Sequence, residues 1–168
     1  MRRFFILCWL GVLITSCGSE SFTEVETVRA PLIGGFESYV SREEVMAKLP
    51  SSMQVKVVND SSLAKTDSQP PYKLHTISLA PFEHLKHTGR LHLTFYNNRL
   101  EQCMFYPDQL DSYLRSLEQT GVELGLGREE VRGNTVIWAG TDEDQNKYVG
   151  WADKRLRDQQ RRWLARYD

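Results

Sequence analysis

Between Leu91 and Tyr106 the chain alternates apolar and polar side chains, pauses at two asparagines, and alternates again. Successive side chains of a strand point to opposite faces, so Leu91, Leu93 and Phe95 share one face while His92, Thr94 and Tyr96 share the other. Asn97-Asn98 tolerates the positive φ that a two-residue turn demands, and Arg99 to Tyr106 returns as the second strand. An isolated hairpin is marginal in water, so its apolar face must be completed by further strands or helices from the rest of the chain.

Those elements are visible on either side. Ser41-Arg42-Glu43-Glu44 is a capping box, with Val40 and Val45 as the flanking hydrophobic staple, and it predicts a short helix from Arg42 to about Leu49, stopped by Pro50. Met53–Val58 and Tyr72–Leu79 read as strands, separated by a polar loop from Ser61 to Pro71. Pro107 opens a helix with Leu110, Tyr113, Leu114 and Leu117 at i, i+3, i+4 and i+7, and Gly121 closes it. Thr135–Ala139 and Tyr148–Trp151 form a second hairpin across the acidic turn Thr141 to Asn146, and a helix runs from about Ala152 to Arg166. The sum is an α+β domain: a small antiparallel sheet of two hairpins plus one or two further strands, packed on one face by about three helices.

At 168 residues the chain is one domain's worth of sequence. Its 21 basic residues against 22 acidic ones argue against a general nucleic-acid binder.

The N-terminus reads as an address. Arg2 and Arg3 precede an apolar run of twelve residues, Phe4 to Thr15, where a membrane-spanning helix needs about 20. The run ends in Ile14-Thr15-Ser16-Cys17, which resembles the lipobox of bacterial lipoproteins. That resemblance implies cleavage between Ser16 and Cys17, a diacylglycerol on the Cys17 sulfur and an acyl chain such as palmitate on its amine. Gly18, rather than Asp, implies export to the outer membrane on its periplasmic face. The expected organisation is a signal peptide over 1–16, a lipidated flexible tether over 17–36 and a single domain over 37–168. As a coil, about twenty residues of tether reach about 25 Å. Residues 1–16 take with them two Arg, no acid and Cys8, leaving 19 basic against 22 acidic residues, a net charge of −3, and Cys103 as the one thiol besides Cys17.

Ser41 to Pro50, with Val45 and Leu49 on one face, and the strand Gly89-Arg90-Leu91-His92-Leu93-Thr94-Phe95 are similar to small outer-membrane assembly lipoproteins of the BamE/SmpA type. The chain departs from them in lacking their Leu-Gly-Pro helix end and in carrying an extra helix after the hairpin. The resemblance implies a partner within the envelope.

Chemistry-bearing residues are sparse. His84 and His87, three apart and beside Glu83, with His75 and His92 elsewhere, are weak metal-ligand candidates without the spacing of HExxH. With Tyr96 opposite Arg99, the hairpin register sets His92 opposite Cys103, a possible thiolate–imidazolium pair lacking a third orienting residue. Asp142, Asp144, Asn146 and Asp153 match an EF-hand count, but Lys147 occupies the position that requires Gly. No nucleotide loop, catalytic triad or spaced carboxylate pair is present, so no catalytic residue and no cofactor is assigned.

The C-terminal helix carries Leu156, Gln160, Trp163, Leu164 and Tyr167 on one face and a basic back that includes Lys154, Arg155, Arg157, Arg161, Arg162 and Arg166. Residues 153–166 hold six basic and two acidic side chains, a net +4 against −7 for the rest of the mature chain. The arginines are the candidate surface for anionic headgroups or an acidic partner. The sequence thus predicts a non-catalytic, lipid-anchored envelope protein that binds another envelope protein or serves outer-membrane assembly. A ligand-binding lipoprotein using Trp138 or Trp151 as a platform is the alternative, and a small metal- or Cys-dependent hydrolase a third.

Overall fold

The computed structural model describes residues 22–63 and 69–167. The signal peptide, Ser16 and Cys17 lie outside the described residues. Seven strands form one antiparallel sheet in the order β1-β2-β3-β4-β7-β6-β5. They are β1 Gln54–Leu63, β2 Tyr72–His84, β3 His87–Tyr96, β4 Arg99–Pro107, β5 Glu129–Arg132, β6 Thr135–Thr141 and β7 Lys147–Asp153. Two meanders, β1 to β4 and β5 to β7, meet where β4 pairs with β7. The helices are α1 Arg42–Lys48, α2 Leu110–Glu118 and α3 Lys154–Tyr167.

The chain is α+β, but the small sheet expected from the sequence is contradicted, since the sheet has seven strands. Three signals were absent from the sequence. β5, Glu-Glu-Val-Arg, is too short and too charged to alternate. β1 runs on to Leu63 and is exposed along its whole length, since neither face of this edge strand is covered, and so it lacks an apolar alternation to mark it. β2 continues past Leu79 to pair His84 with His87 across Leu85 and Lys86, both at positive φ, a turn built from residues that carry no turn signature. The Asn97-Asn98 turn follows the sequence reading, with φ of 48° and 60°.

The sheet is also covered on both faces rather than one. Leu91, Leu93 and Phe95 join Tyr113 and Leu117 of α2 and Val45 of α1 in the main core. Tyr96, pointing the other way, joins Trp163 of α3, Tyr72 and Phe22 in a second cluster. The capping box of α1 forms as expected: Glu44 N–H donates to Ser41 Oγ at 3.2 Å, and Ser41 N–H to Glu44 Oε2 at 2.8 Å.

The tether expected over 17–36 is corrected over its described part. Phe22 is 3% exposed, and Ala30, Leu32 and Ile33 are buried. Arg99 donates to the carbonyl oxygens of Phe22 and Glu24, each at 2.6 Å, and Thr135 Oγ1 donates to Pro31 O at 2.8 Å. Polar composition suggested a coil, yet buried apolar residues and these bonds to its carbonyls hold residues 22–36 on the domain. The domain therefore takes in residue 22 onward, where the sequence reading began it at 37.

Candidate functional site

The α3 face of the sheet is only partly roofed by α3. Beyond the helix, the outward positions of four strands bring one continuous row together. The Arg90 guanidinium lies over the Tyr106 ring at 4.9 Å, and Tyr106 sits 5.5 Å from Tyr148. Tyr148 meets Trp138 edge-on at 6.4 Å and accepts a hydrogen bond from its indole N–H at 3.3 Å. Arg157, reaching in from α3, closes the row over Trp138 at 4.9 Å and pairs with Glu129 at 3.4 Å. His92 flanks Tyr106 at 4.7 Å.

The rings are held by what lies beneath them. A Cβ on Gly150 would collide with the Trp138 indole, so the indole rests on bare backbone. We expect Gly150→Ala to displace Trp138 and to lower the unfolding free energy by about 1–3 kcal/mol, as overpacking does, read from urea midpoints. Burial, then the Asp142 carboxylate, pushes the Tyr106 phenol up to about 12. Burial, helped by Arg90, lowers His92 to about 4. Tyr106 is buried, with Arg90 over its ring, while Tyr148 and Trp138 are half-buried, so the row presents the edges of two rings with a cation at each end.

The other candidates sort differently. His84 Nδ1 shares a hydrogen bond with the Tyr113 hydroxyl at 2.7 Å, and His87 Nε2 with Ser116 Oγ at 2.9 Å, so both imidazoles fasten the hairpin to α2. Among the described residues, no three His, Cys, Asp or Glu side chains are placed to hold a metal ion. The His92–Cys103 pairing is overturned. A β-bulge shifts the register between Thr94 and Phe95, so Cys103 stands opposite Leu93 and His92 opposite Met104, on the other face. Cys103 is buried in the main core, and desolvation pushes its thiol well above the ordinary range. Asp142 closes its own turn, accepting from Asn146 N–H at 2.8 Å, while Asp153 lies buried at the far end of β7. Trp151 belongs to the main core, which leaves Trp138 as the tryptophan of the open face.

The arginines of α3 divide. Arg155 turns inward, donating to Asp153 Oδ2 at 2.7 Å and to Val28 O at 2.6 Å, and Arg157 belongs to the aromatic row. Arg161, Arg162 and Arg166 are exposed. Sequence reasoning named Trp138 and Arg157 but missed Arg90, Tyr106 and Tyr148. Strand alternation puts all three on the face of His92, yet the row exists only because β4 pairs with β7, and no local pattern encodes that pairing.

Comparison with protein-family models, with curated proteins and with solved structures finds no match.

Proposed function

We propose that the chain is a non-catalytic, lipid-anchored lipoprotein of the bacterial cell envelope, probing a protein partner with the row Arg90–Tyr106–Tyr148–Trp138–Arg157. The row carries the reading. Tyr, Trp and Arg are the residue types that dominate binding energy at protein interfaces, because each offers a large rigid surface together with a polar or charged end. Here they stand on strands and one helix, held before any partner arrives, so little ordering entropy is lost on binding.

A flat protein interface suits this surface better than a small ligand. The clefts beside Tyr106 are shallow and open, lined by Arg90, Asp108 and the residues around them. Their volumes, about 550 and 340 Å³, would admit a small ligand, but clefts so open to solvent leave most of its surface uncovered, where small-molecule sites bury the greater part of it. The anchor in this reading rests on the lipobox, and the similarity to BamE/SmpA-type lipoproteins favours a partner in outer-membrane assembly or maintenance.

The test is photo-crosslinking in the native envelope from a reactive residue at position 131, exposed on β5 and on the same face as Trp138, with position 46 on α1 as the control. We expect one stoichiometric adduct from 131 only, and a loss of affinity of about 30-fold in Trp138→Ala, the scale of an interface hot spot. An adduct that survives both Trp138→Ala and Tyr148→Ala would overturn the assignment.

A further inference from the structure

The lipid anchor and the basic end of α3 are brought to the same end of the domain. Phe22 stacks edge-on against Tyr167 of α3, ring centroids 6.4 Å apart, and shares its cluster with Trp163. Its carbonyl oxygen is fixed by Arg99 and by Asn97 Nδ2, the latter at 3.0 Å, where β3 turns into β4. Cys17 precedes Phe22 by only five residues. Whatever their conformation, five residues span at most about 18 Å, so a lipid on Cys17 holds this end of the domain within that distance of the headgroups. Residues 159–168 carry Arg161, Arg162 and Arg166 against one acid, Asp168, a net charge of +2. All three arginines are exposed, and Arg166 is braced over the Tyr167 ring at 5.4 Å.

We infer that the C-terminal half of α3 is a membrane-docking surface for anionic phospholipid headgroups, with Arg161, Arg162 and Arg166 as its contacts. The inference rests on the lipoprotein reading of Cys17 and adds an orientation to it. An anionic surface acts over about a Debye length, some 8 Å at physiological salt, and a five-residue link of at most about 18 Å keeps α3 close enough to enter that field, which the arginines then favour by turning towards the surface. Each arginine brought into that field strengthens contact about five-fold, enough to orient a domain that the acyl chains already retain. The opposite end of the sheet carries the Asp142–Asn146 turn and, beside it, Tyr106 and Tyr148, so docking through α3 directs that end of the aromatic row away from the bilayer.

The experiment uses the acylated mature chain in vesicles containing a phospholipid with a nitroxide on its headgroup. A fluorophore is attached to Ala165→Cys on α3 or, as control, to Glu143→Cys in the far turn. Cys103 is buried and Cys17 acylated, so labelling is confined to the introduced thiol. In phosphatidylglycerol-rich vesicles we expect the label at 165 to be quenched about two-fold or more beyond the label at 143. The excess should vanish in phosphatidylcholine vesicles, in high salt and in the triple variant Arg161→Glu, Arg162→Glu, Arg166→Glu. Because the lipid and salt arms use the unmodified arginines, a misfolded triple variant leaves the test intact. Equal quenching at the two positions, with acylated Cys17 seen by mass spectrometry, sinks the docking surface while the anchor stands. An unacylated Cys17 removes the anchor and the orientation together. Excess quenching indifferent to lipid charge and salt also overturns the headgroup assignment, since another force then holds the helix down.

Discussion

Asp153→Ala lowers the unfolding free energy by about 3 kcal/mol, the low end of what breaking a buried ion pair costs. Asp153 is fully buried at the junction of β7 and α3, and its carboxylate accepts from three residues. It accepts from the Ser38 hydroxyl at 2.7 Å and from Arg155 Nη2 at 2.7 Å. It also caps α3, taking the N–H of Arg155 at 2.8 Å and of Leu156 at 3.4 Å. Ser38 in turn accepts from Ala30 N–H at 2.7 Å, so the same carboxylate fastens the N-terminal segment. Removing it strands a hydroxyl and two helix N–H groups and leaves Arg155 without its principal counter-ion; that guanidinium is a quarter exposed, which moderates the loss. Asp153→Asn keeps the cap through its one oxygen and can turn the Ser38 bond round, its amide N–H donating to Ser38 Oγ, so it should lose about half as much. Urea midpoints measure both, with a shift of about 1–2 M expected for the alanine variant. A shift no larger than that of Glu143→Ala, in an exposed turn, would show that the network contributes nothing measurable.

That network marks the boundary of what the sequence made legible. Local chemistry could be read directly. The capping box and staple of α1, the Asn97-Asn98 turn and the apolar spacing of α2 and α3 each depend on residues within a few positions of one another. The missing parts depend on partners far away. Ser38 and Asp153 meet across 115 residues and Arg155 and Val28 across 127, and a tether rich in Ser, Thr and Glu becomes ordered because Arg99 captures its carbonyl oxygens. The bulge in the β3–β4 pair shows the same limit at short range. It inserts Glu101 as an unpaired extra residue, shifts the pairing by one, and so separates His92 from Cys103. In the candidate site, Trp138 and Arg157 were visible as an aromatic on a hairpin and a cation on a helix. Their joining with Arg90, Tyr106 and Tyr148 needed the β4–β7 pairing that unites the two meanders.

Glu101 itself sets the second large effect, a stability that declines as pH rises. The bulge buries its side chain completely, near Arg157 and Arg161 of α3, Arg99 and Asp153, and Oε2 has no hydrogen-bond partner among the described residues. Burial raises its pKa from an ordinary 4.5 to about 7, with the arginines opposing and Asp153 adding to the rise. The folded chain then holds a proton that the unfolded chain has released, so this group's contribution is fully present below pH 4.5 and is lost as pH rises through 7. At 1.36 kcal/mol per pKa unit the loss amounts to about 3 kcal/mol. His92 acts in the opposite sense. Its folded pKa is lowered to about 4 from 6.5, so its stabilisation is present above pH 6.5 and lost as pH falls towards 4, by an amount reduced because the ring is partly solvated. The two slopes offset each other between pH 4.5 and 6.5, which makes the wild-type profile shallow there. Glu101→Gln fixes the uncharged state and removes one slope. Its stability relative to wild type should therefore rise by about 3 kcal/mol from pH 4.5 to pH 8, read from urea unfolding at the two pH values. A gap between the two proteins that stays constant with pH means that Glu101 ionises normally in the fold, and the arginines beneath α3 then neutralise it rather than leave it protonated.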